Sequence, residues 1–299
     1  MGGTYEGLAD KQIFAMEYYA LQQAKLDTKQ PDSLAGSISL ITGAAGAIGA
    51  GICRELLANG CHVAATDLPG DPLNSLVAEL AKKYPGRVIA VPMDVGNPEG
   101  VAEAFGQVID TWGGLDMVII NAGLAYVCSL EEMSIKAFQR LQKVNTEGTL
   151  NLLSESGRLM KKQGTGGDII LISTKNVFSP GANFGAYSAT KAAAHQLARI
   201  ASLEMAPMDV RVNMVAPDAV FSEGSRKSGL WAEVGPDRMK ARGLDEAGLE
   251  SYYQNRNLLK AAVTAKHVAN AVLYFVTRQS PTTGATIPVD GGLPDATPR

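Results

Sequence analysis

Cysteine is scarce in this 299-residue chain: Cys53, Cys61 and Cys128 are all there is, and no two of them stand in C-x-x-C spacing. An odd, unmotivated set of thiols excludes a disulfide framework and a cysteine-rich zinc site, and fits a reducing cytoplasm. A charge excess is missing as well, with 27 Lys and Arg against 30 Asp and Glu for a formal net charge of −3. A balance of that kind offers no general attraction to nucleic acid or to anionic membrane surfaces. No apolar run approaches the roughly 18 residues of a membrane span, and Met1-Gly2-Gly3-Thr4-Tyr5-Glu6 has neither the basic start nor the apolar stretch of a secretory signal. The three histidines, His62, His195 and His267, are scattered, and neither H-E-x-x-H nor G-x-S-x-G occurs. No metal requirement is expected, and no nucleic-acid or membrane partner.

What is present is a large apolar fraction, 46% of the residues, enough to bury one sizeable core. Residues 1–35 stand apart: Ile13, Met16, Tyr19 and Ala20 are spaced near a helical period, and a polar stretch with Pro31 follows, so a short helix and a linker are expected. From Gly36 onward short β-branched or apolar runs alternate with longer helical patterns. That alternation predicts βαβ units and a parallel sheet covered on both faces, a single doubly wound Rossmann-type α/β domain over residues 36–299.

Seven strands are expected at Ile38–Thr42, His62–Asp67, Val88–Pro92, Met117–Asn121, Asp168–Ser173, Arg211–Ala216 and Thr286–Val289. The intervening helices are expected at Ile48–Ala58, Leu73–Lys83, Glu99–Trp112, Asn145–Lys162, Tyr187–Met205 and Lys266–Thr277. One connection, residues 218–265, is long, polar and punctuated by glycine, and carries Arg226, Lys227, Trp231, Arg238, Lys240 and Arg242. It follows the carboxyl end of a strand, where the ligand crevice of an open α/β sheet lies, and reads as a lid.

Leu40-Ile41-Thr42-Gly43-Ala44-Ala45-Gly46-Ala47-Ile48-Gly49 ends an apolar strand, turns on glycine and opens a helix. Glycines let the backbone approach a pyrophosphate, and a helix N-terminus offers free N–H groups and partial positive charge. About twenty residues on, Thr66-Asp67-Leu68 ends the second strand. A carboxylate there accepts hydrogen bonds from adenosine ribose hydroxyls and repels a 2′-phosphate, so NAD is favoured over NADP. The plainer role of Asp67 is to start the turn Leu68-Pro69-Gly70.

These features, with Asp94-Val95, Asn121-Ala122-Gly123, Asn145, Tyr187-Ser188-Ala189-Thr190-Lys191 and Val289-Asp290-Gly291-Gly292, resemble the short-chain dehydrogenase/reductase family across residues 36–292. The resemblance implies that Asp94 and Val95 meet the adenine and that Asn121-Ala122-Gly123 backs the cofactor. Pro217, Ala219 and Val220 would lie at its nicotinamide end.

The resemblance makes Tyr187 the general acid–base, since a carbinol must lose its hydroxyl proton as hydride leaves. A tyrosine of pKa near ~10 needs help at neutral pH, and Lys191, four residues later on the same helix face, is expected to lower it. Lys191 would also bond the nicotinamide ribose. The family's catalytic serine corresponds to Thr174 here, with Ser173 as the fallback, and Asn145 corresponds to the asparagine that holds a proton-relay water, its plainer role being a helix N-cap. Lys175, Asn176, Asp218 and Trp231 are candidate substrate contacts.

A narrower resemblance runs through Lys175-Asn176, Asn213 to Val220, Gly229-Leu230-Trp231 and Tyr253 to Lys260, and in the preamble through Tyr5-Glu6-Gly7-Leu8. These segments are similar to the dehydrogenase half of bifunctional rhamnulose-1-phosphate aldolase/alcohol dehydrogenases. The resemblance implies an NAD-dependent oxidoreductase of carbohydrate metabolism that acts on a small-molecule substrate, lactaldehyde or a secondary alcohol of a sugar or polyol, and assembles as a homotetramer or dimer. The spacing Gly43-x-x-Gly46-x-x-Gly49 keeps a sugar epimerase open, and a non-catalytic NAD-binding protein is the third class.

Overall fold

In a computed structural model the chain is described over residues 33–293, so the helix expected near the start of residues 1–35 lies outside the described residues. Seven parallel strands form the sheet: β1 (Ile38–Thr42), β2 (His62–Asp67), β3 (Val88–Pro92), β4 (Met117–Ile120), β5 (Gly167–Ile172), β6 (Val210–Pro217) and β9 (Thr286–Val289). Their spatial order is β3-β2-β1-β4-β5-β6-β9, with a reversal of direction across the sheet after β1 and β4. The parallel sheet foreseen from the alternating pattern is present, with strand ends within a residue of expectation.

The near-continuous apolar strands follow from burial on both faces. Leu40, Ala64, Val118, Ile120, Ile169 and Leu171 turn to one side, against α3 (Pro98–Trp112), α5 (Gly148–Gln163) and α6 (Gly185–Met205). Their sequence neighbours Ile41, Val63, Ala65, Ile119, Ile170 and Ile172 turn to the other, against α1 (Ala47–Ala58), α2 (Asp71–Lys83) and α9 (Ala265–Val276). The side-chain period of two along each strand thus feeds two separate cores.

The helix expected to open at Asn145 does not. A helix starts at α4 (Ile135–Leu141), where the Ser134 hydroxyl caps the Ala137 N–H, continues through a widened π segment at Gln142–Glu147 and runs on into α5. Asn145 therefore sits inside a continuous helix and caps nothing.

Residues 218–265 are also more ordered than the polar pattern implies. A two-stranded ribbon, β7 (Ser222–Glu223) and β8 (Arg226–Lys227), precedes α7 (Gly229–Arg242) and α8 (Glu246–Asn255). Ser228 and Asp245 cap the two helices through Trp231 and Gly248 N–H, and Gly243 ends α7 in the left-handed region. The two lid helices sit over the carboxyl ends of β5 and β6. There Val234 and Leu230 join Phe184 and Tyr187 in a third, smaller apolar cluster.

Candidate active site

A cleft of about 1000 Å³ opens along the carboxyl edge of the sheet, from Asp67 and Asp94 past the glycine loop to Tyr187 and the lid. The loop is built for close approach. Gly43 has φ +62°, and a Cβ on it would stand 2.9 Å from Ala122 Cα. The Asn121 side-chain amide donates to the carbonyls of Thr42 (2.9 Å) and Gly43 (3.0 Å), and the Thr42 hydroxyl accepts from both Asn121 and Ala122 N–H, which locks β1 to β4 under the loop. Gly46 precedes α1 with no side chain capping its first turn, leaving those N–H groups for an anion.

Gly49 does not line the cleft. It lies beneath the loop, where a Cβ would meet Gly43 O at 2.2 Å, so its role is to let the first helical turn pack against the glycine turn.

At one end of the cleft, Asp67 Oδ2 accepts from Ala45 N–H (2.9 Å) and Oδ1 from Leu68 N–H (2.8 Å). It starts its own turn and also braces the glycine loop, both while facing the cleft. Asp94 accepts from Gly96 N–H (2.8 Å), and Val95 is buried beside Gly148. The cleft walls also include Leu68, Asp94, Val95, Gly123, Ala219 and Val220. A nicotinamide dinucleotide fits this lining: backbone bared by glycine at the centre, a fixed carboxylate at one end and a titratable cluster at the other.

That cluster forms where α6 begins. Tyr187 and Lys191 are one turn apart and both buried, at 8% and 4% exposure. The Thr174 hydroxyl lies beside the Tyr187 hydroxyl and accepts from Asn176 N–H at 3.3 Å. Lys191 Nζ donates to the Ile172 carbonyl at 2.7 Å. Burial pushes Lys191 down to about 8, and burial likewise pushes Tyr187 up, opposed by the Thr174 hydroxyl. The expected lowering of Tyr187 by Lys191 is thus not present in the protein by itself: burial raises the tyrosine, only the Thr174 hydroxyl opposes it, and the ammonium is turned to a carbonyl.

Ser173 and Asn145 take different places from those expected. The Ser173 hydroxyl is engaged with His195 Nδ1 at 2.9 Å, beneath Phe178, so the free hydroxyl beside Tyr187 belongs to Thr174. Asn145 is 1% exposed and outside the cleft lining. Its Oδ1 accepts from Leu124 N–H (2.8 Å), and its Nδ2 donates to Leu124 O (2.9 Å) and Thr190 Oγ1 (3.0 Å), tying the loop after β4 to α6.

Among the expected substrate contacts, Lys175, Asn176, Asp218 and Trp231 all line the lid end of the cleft. Asp218 is not free for substrate: Arg256 Nε and Nη2 both donate to its carboxylate. Trp231 stacks on Phe221 (4.6 Å) and meets Tyr253 edge-on (4.9 Å). The sequence pointed to Arg238 and Arg242 only as part of the lid and did not single out Phe184, Tyr252 or Arg256, and all five also line this end. Capped helices at Ser228 and Asp245 were the readable signal, since they bring residues four apart onto one face.

The comparisons with known proteins follow this geometry. Residues 37–232 match the sequence pattern described as short chain dehydrogenase. The chain belongs to that family. It is an oxidoreductase of the short-chain dehydrogenase type, a family that uses a nicotinamide cofactor. It is 34% identical over 300 residues to the uncharacterized oxidoreductase YuxG of Bacillus subtilis, covering 99% of this chain and 43% of YuxG. It is 32% identical to human L-xylulose reductase over 261 residues, covering 87% of this chain and 97% of the reductase. A crystal structure of a short-chain type dehydrogenase/reductase from Mycobacterium marinum superposes with a TM-score of 0.76 at 27% identity, over 87% of this chain and 96% of that one.

Proposed function

We propose that this short-chain dehydrogenase is NAD-dependent and moves hydride between the nicotinamide and a carbinol carbon of a small hydroxylated substrate. The observation that carries the reading is the buried Tyr187, one helical turn before Lys191 and beside Thr174, in the same cleft as the glycine loop. A dinucleotide held between the glycine loop, Asp67 and Lys191 would supply the hydride acceptor and, in its oxidised form, a positive charge that favours the tyrosinate. Tyr187 takes the hydroxyl proton of an alcohol in oxidation and returns one to a carbonyl oxygen in reduction. Thr174 orients that oxygen through its hydroxyl, and Lys191 holds positive charge within the cluster. Asn145 is a positioning residue that fixes the loop over Gly123 and Leu124 against α6.

Asp67 supports NAD over NADP. Its carboxylate is held by two N–H groups in the cleft wall, where a 2′-phosphate would meet a second negative charge.

Two substrate classes fit. The segments resembling the dehydrogenase half of rhamnulose-1-phosphate aldolase/alcohol dehydrogenases favour lactaldehyde, which would react as its hydrate, because no cysteine lines the cleft to form a thiohemiacetal. The L-xylulose reductase relative favours a secondary alcohol of a sugar or polyol. The acid–base pair inside the cleft weighs against a non-catalytic binding protein, and the relatives named above are an oxidoreductase and a reductase rather than epimerases.

Exposed Leu150 on α5 and Leu203 on α6 suit the homo-oligomer of two or four copies. Three unpaired thiols suit the cytoplasm.

NADH formation by the full chain, with L-lactaldehyde beside a panel of sugars and polyols, tests this reading. Turnover of at least one is expected, with NADP far poorer. Silence across the panel from protein that binds NAD would overturn it.

A further inference from the structure

The lid end of the cleft carries more positive charge than its own carboxylates neutralise. Lys175 projects from the turn after β5, Arg238 and Arg242 from α7, and Arg256 from the end of α8, and all four line the cleft. Two carboxylates stand with them, and both are engaged. Asp218 is held by Arg256, and Glu233 lies 3.7 Å from Arg140. Among the described residues, no carboxylate pairs with Lys175, Arg238 or Arg242. Lys175 Nζ reaches the Ser179 carbonyl at 3.1 Å.

Arg238 is the telling member. It is 8% exposed, its guanidinium lies 4.1 Å over the Phe184 ring, and its one hydrogen bond is a long contact to the Ala182 carbonyl at 3.4 Å. Its Nε is buried without a partner, and so is Oδ1 of Asn176, on the neighbouring wall. An arginine so far out of water normally has a carboxylate or several carbonyls around it, because desolvating it is costly. An aromatic face offsets part of that cost and leaves the donor edge open. Burial holds both Lys175 and Arg238 below their ordinary pKa ranges, and the Arg256 charge presses both down further.

The pyrophosphate of the cofactor does not explain these groups. The glycine loop that would take it follows β1, and Asp67 follows β2, whereas Lys175 follows β5 on the opposite side of the sheet from β2. Phe184, under Arg238, meets the Tyr187 ring at a centroid distance of 6.0 Å. The Phe184 ring thus stands between the Arg238 guanidinium and the ring of Tyr187.

We infer that Lys175 and Arg238 form an anion subsite, and that the hydroxylated substrate carries a carboxylate or phosphoryl group a few bonds from the carbon that exchanges hydride. This rests on the hydride-transfer reading for the position of the reacting carbon, and it selects acidic or phosphorylated hydroxy compounds over neutral polyols. Asn176 Oδ1 accepts from a substrate hydroxyl between the two ends.

The test uses the full chain saturated with NADH, titrated calorimetrically with inorganic phosphate and, separately, with malonate as a hydroxyl-free carboxylate. Saturable binding of at least one is expected, and which one binds identifies the anion. Arg238→Gln and Lys175→Gln should each weaken it tenfold or more, and Arg238→Lys should retain part of it, which keeps the test intact if the glutamine variant folds poorly. A parallel turnover panel pairs neutral polyols with their phosphate monoesters and with the corresponding aldonic acids. The anionic partner should have the higher kcat/KM, and Lys175→Gln should erase that advantage through KM with kcat little changed. No saturable anion binding, or binding unchanged in all three variants, overturns the subsite. Anion binding that the variants weaken, without turnover of any compound, sustains the subsite and defeats the hydride-transfer reading instead.

Discussion

Replacing Lys191 with methionine should stabilise the fold while disabling the enzyme. The lysine is buried beneath the cleft with one hydrogen bond, to the Ile172 carbonyl at 2.7 Å, and burial lowers it from 10.5 to about 8. Holding the ammonium there at neutral pH costs about 3 kcal/mol relative to the unfolded chain. Losing the bond to Ile172 O costs about 1–2 kcal/mol in return, and methionine fills a similar volume. A net gain of about 1–2 kcal/mol follows, a rise in Tm of about 2–8 °C in the cofactor-free protein.

The pH dependence carries the sign. The unfolded lysine keeps its proton to about 10.5 and the folded one only to about 8, so between those values the unfolded state binds more protons. Wild type therefore gains stability as pH rises through that window, and the advantage of the methionine variant is full below about 8 and fades towards 10.5. Thermal or urea unfolding of both proteins from neutral to alkaline pH reads this directly, beside NADH formation, which should fall by about 10²-fold or more. A variant less stable than wild type at neutral pH, or a stability gap that ignores pH, would refute the reasoning.

Other sites give simpler outcomes. Asp67→Asn keeps a hydrogen-bond acceptor for Ala45 N–H but removes the charge, so kcat/KM with NADP should rise by about tenfold relative to NAD, read as initial rates with each cofactor. An unchanged cofactor ratio would count against Asp67 as the selector. Gly49→Ala would place a Cβ 2.2 Å from Gly43 O, a backbone clash worth about 3 kcal/mol that should lower Tm and weaken NADH binding as followed by its fluorescence. Thr174→Val keeps the shape but removes the hydroxyl beside Tyr187, and kcat should fall by about 10²-fold with NADH affinity unchanged.

The sheet was legible because its strands are buried on both faces: Ile38–Thr42 and Met117–Ile120 read as apolar runs with no competing helical period. The glycine loop was legible because a phosphate cradle needs glycine at set positions, although Gly49 proved to support the loop from below. What failed did so for local reasons. The start of α4 was hidden because its cap, Ser134, precedes a helix that widens before reaching Asn145, and that widening breaks the 3.6-residue period. Pro236 inside α7 and the polar face of α8 made the lid look structureless, although Ser228, Asp245 and Gly243 mark its helix ends. The charge cluster over Tyr187 joins residues from positions 175 to 256, and only tertiary packing brings those together. The resemblance put Thr174 ahead of Ser173, but the physical reason lay with His195, 22 residues beyond Ser173, which takes the Ser173 hydroxyl.

The central claim is that Tyr187 exchanges the substrate proton, and Tyr187→Phe tests it most directly. Phenylalanine keeps the ring against Phe184 and forfeits one hydroxyl beside Thr174, so the loss of stability should not exceed the worth of one hydrogen bond, about 1 kcal/mol. NADH binding should be retained. The single-turnover rate of NADH formation, with any substrate that wild type oxidises, should fall by at least about 10²-fold, within the usual range for loss of a general base. A folded, NADH-binding Tyr187→Phe enzyme that turns over within a few-fold of wild type would contradict the account.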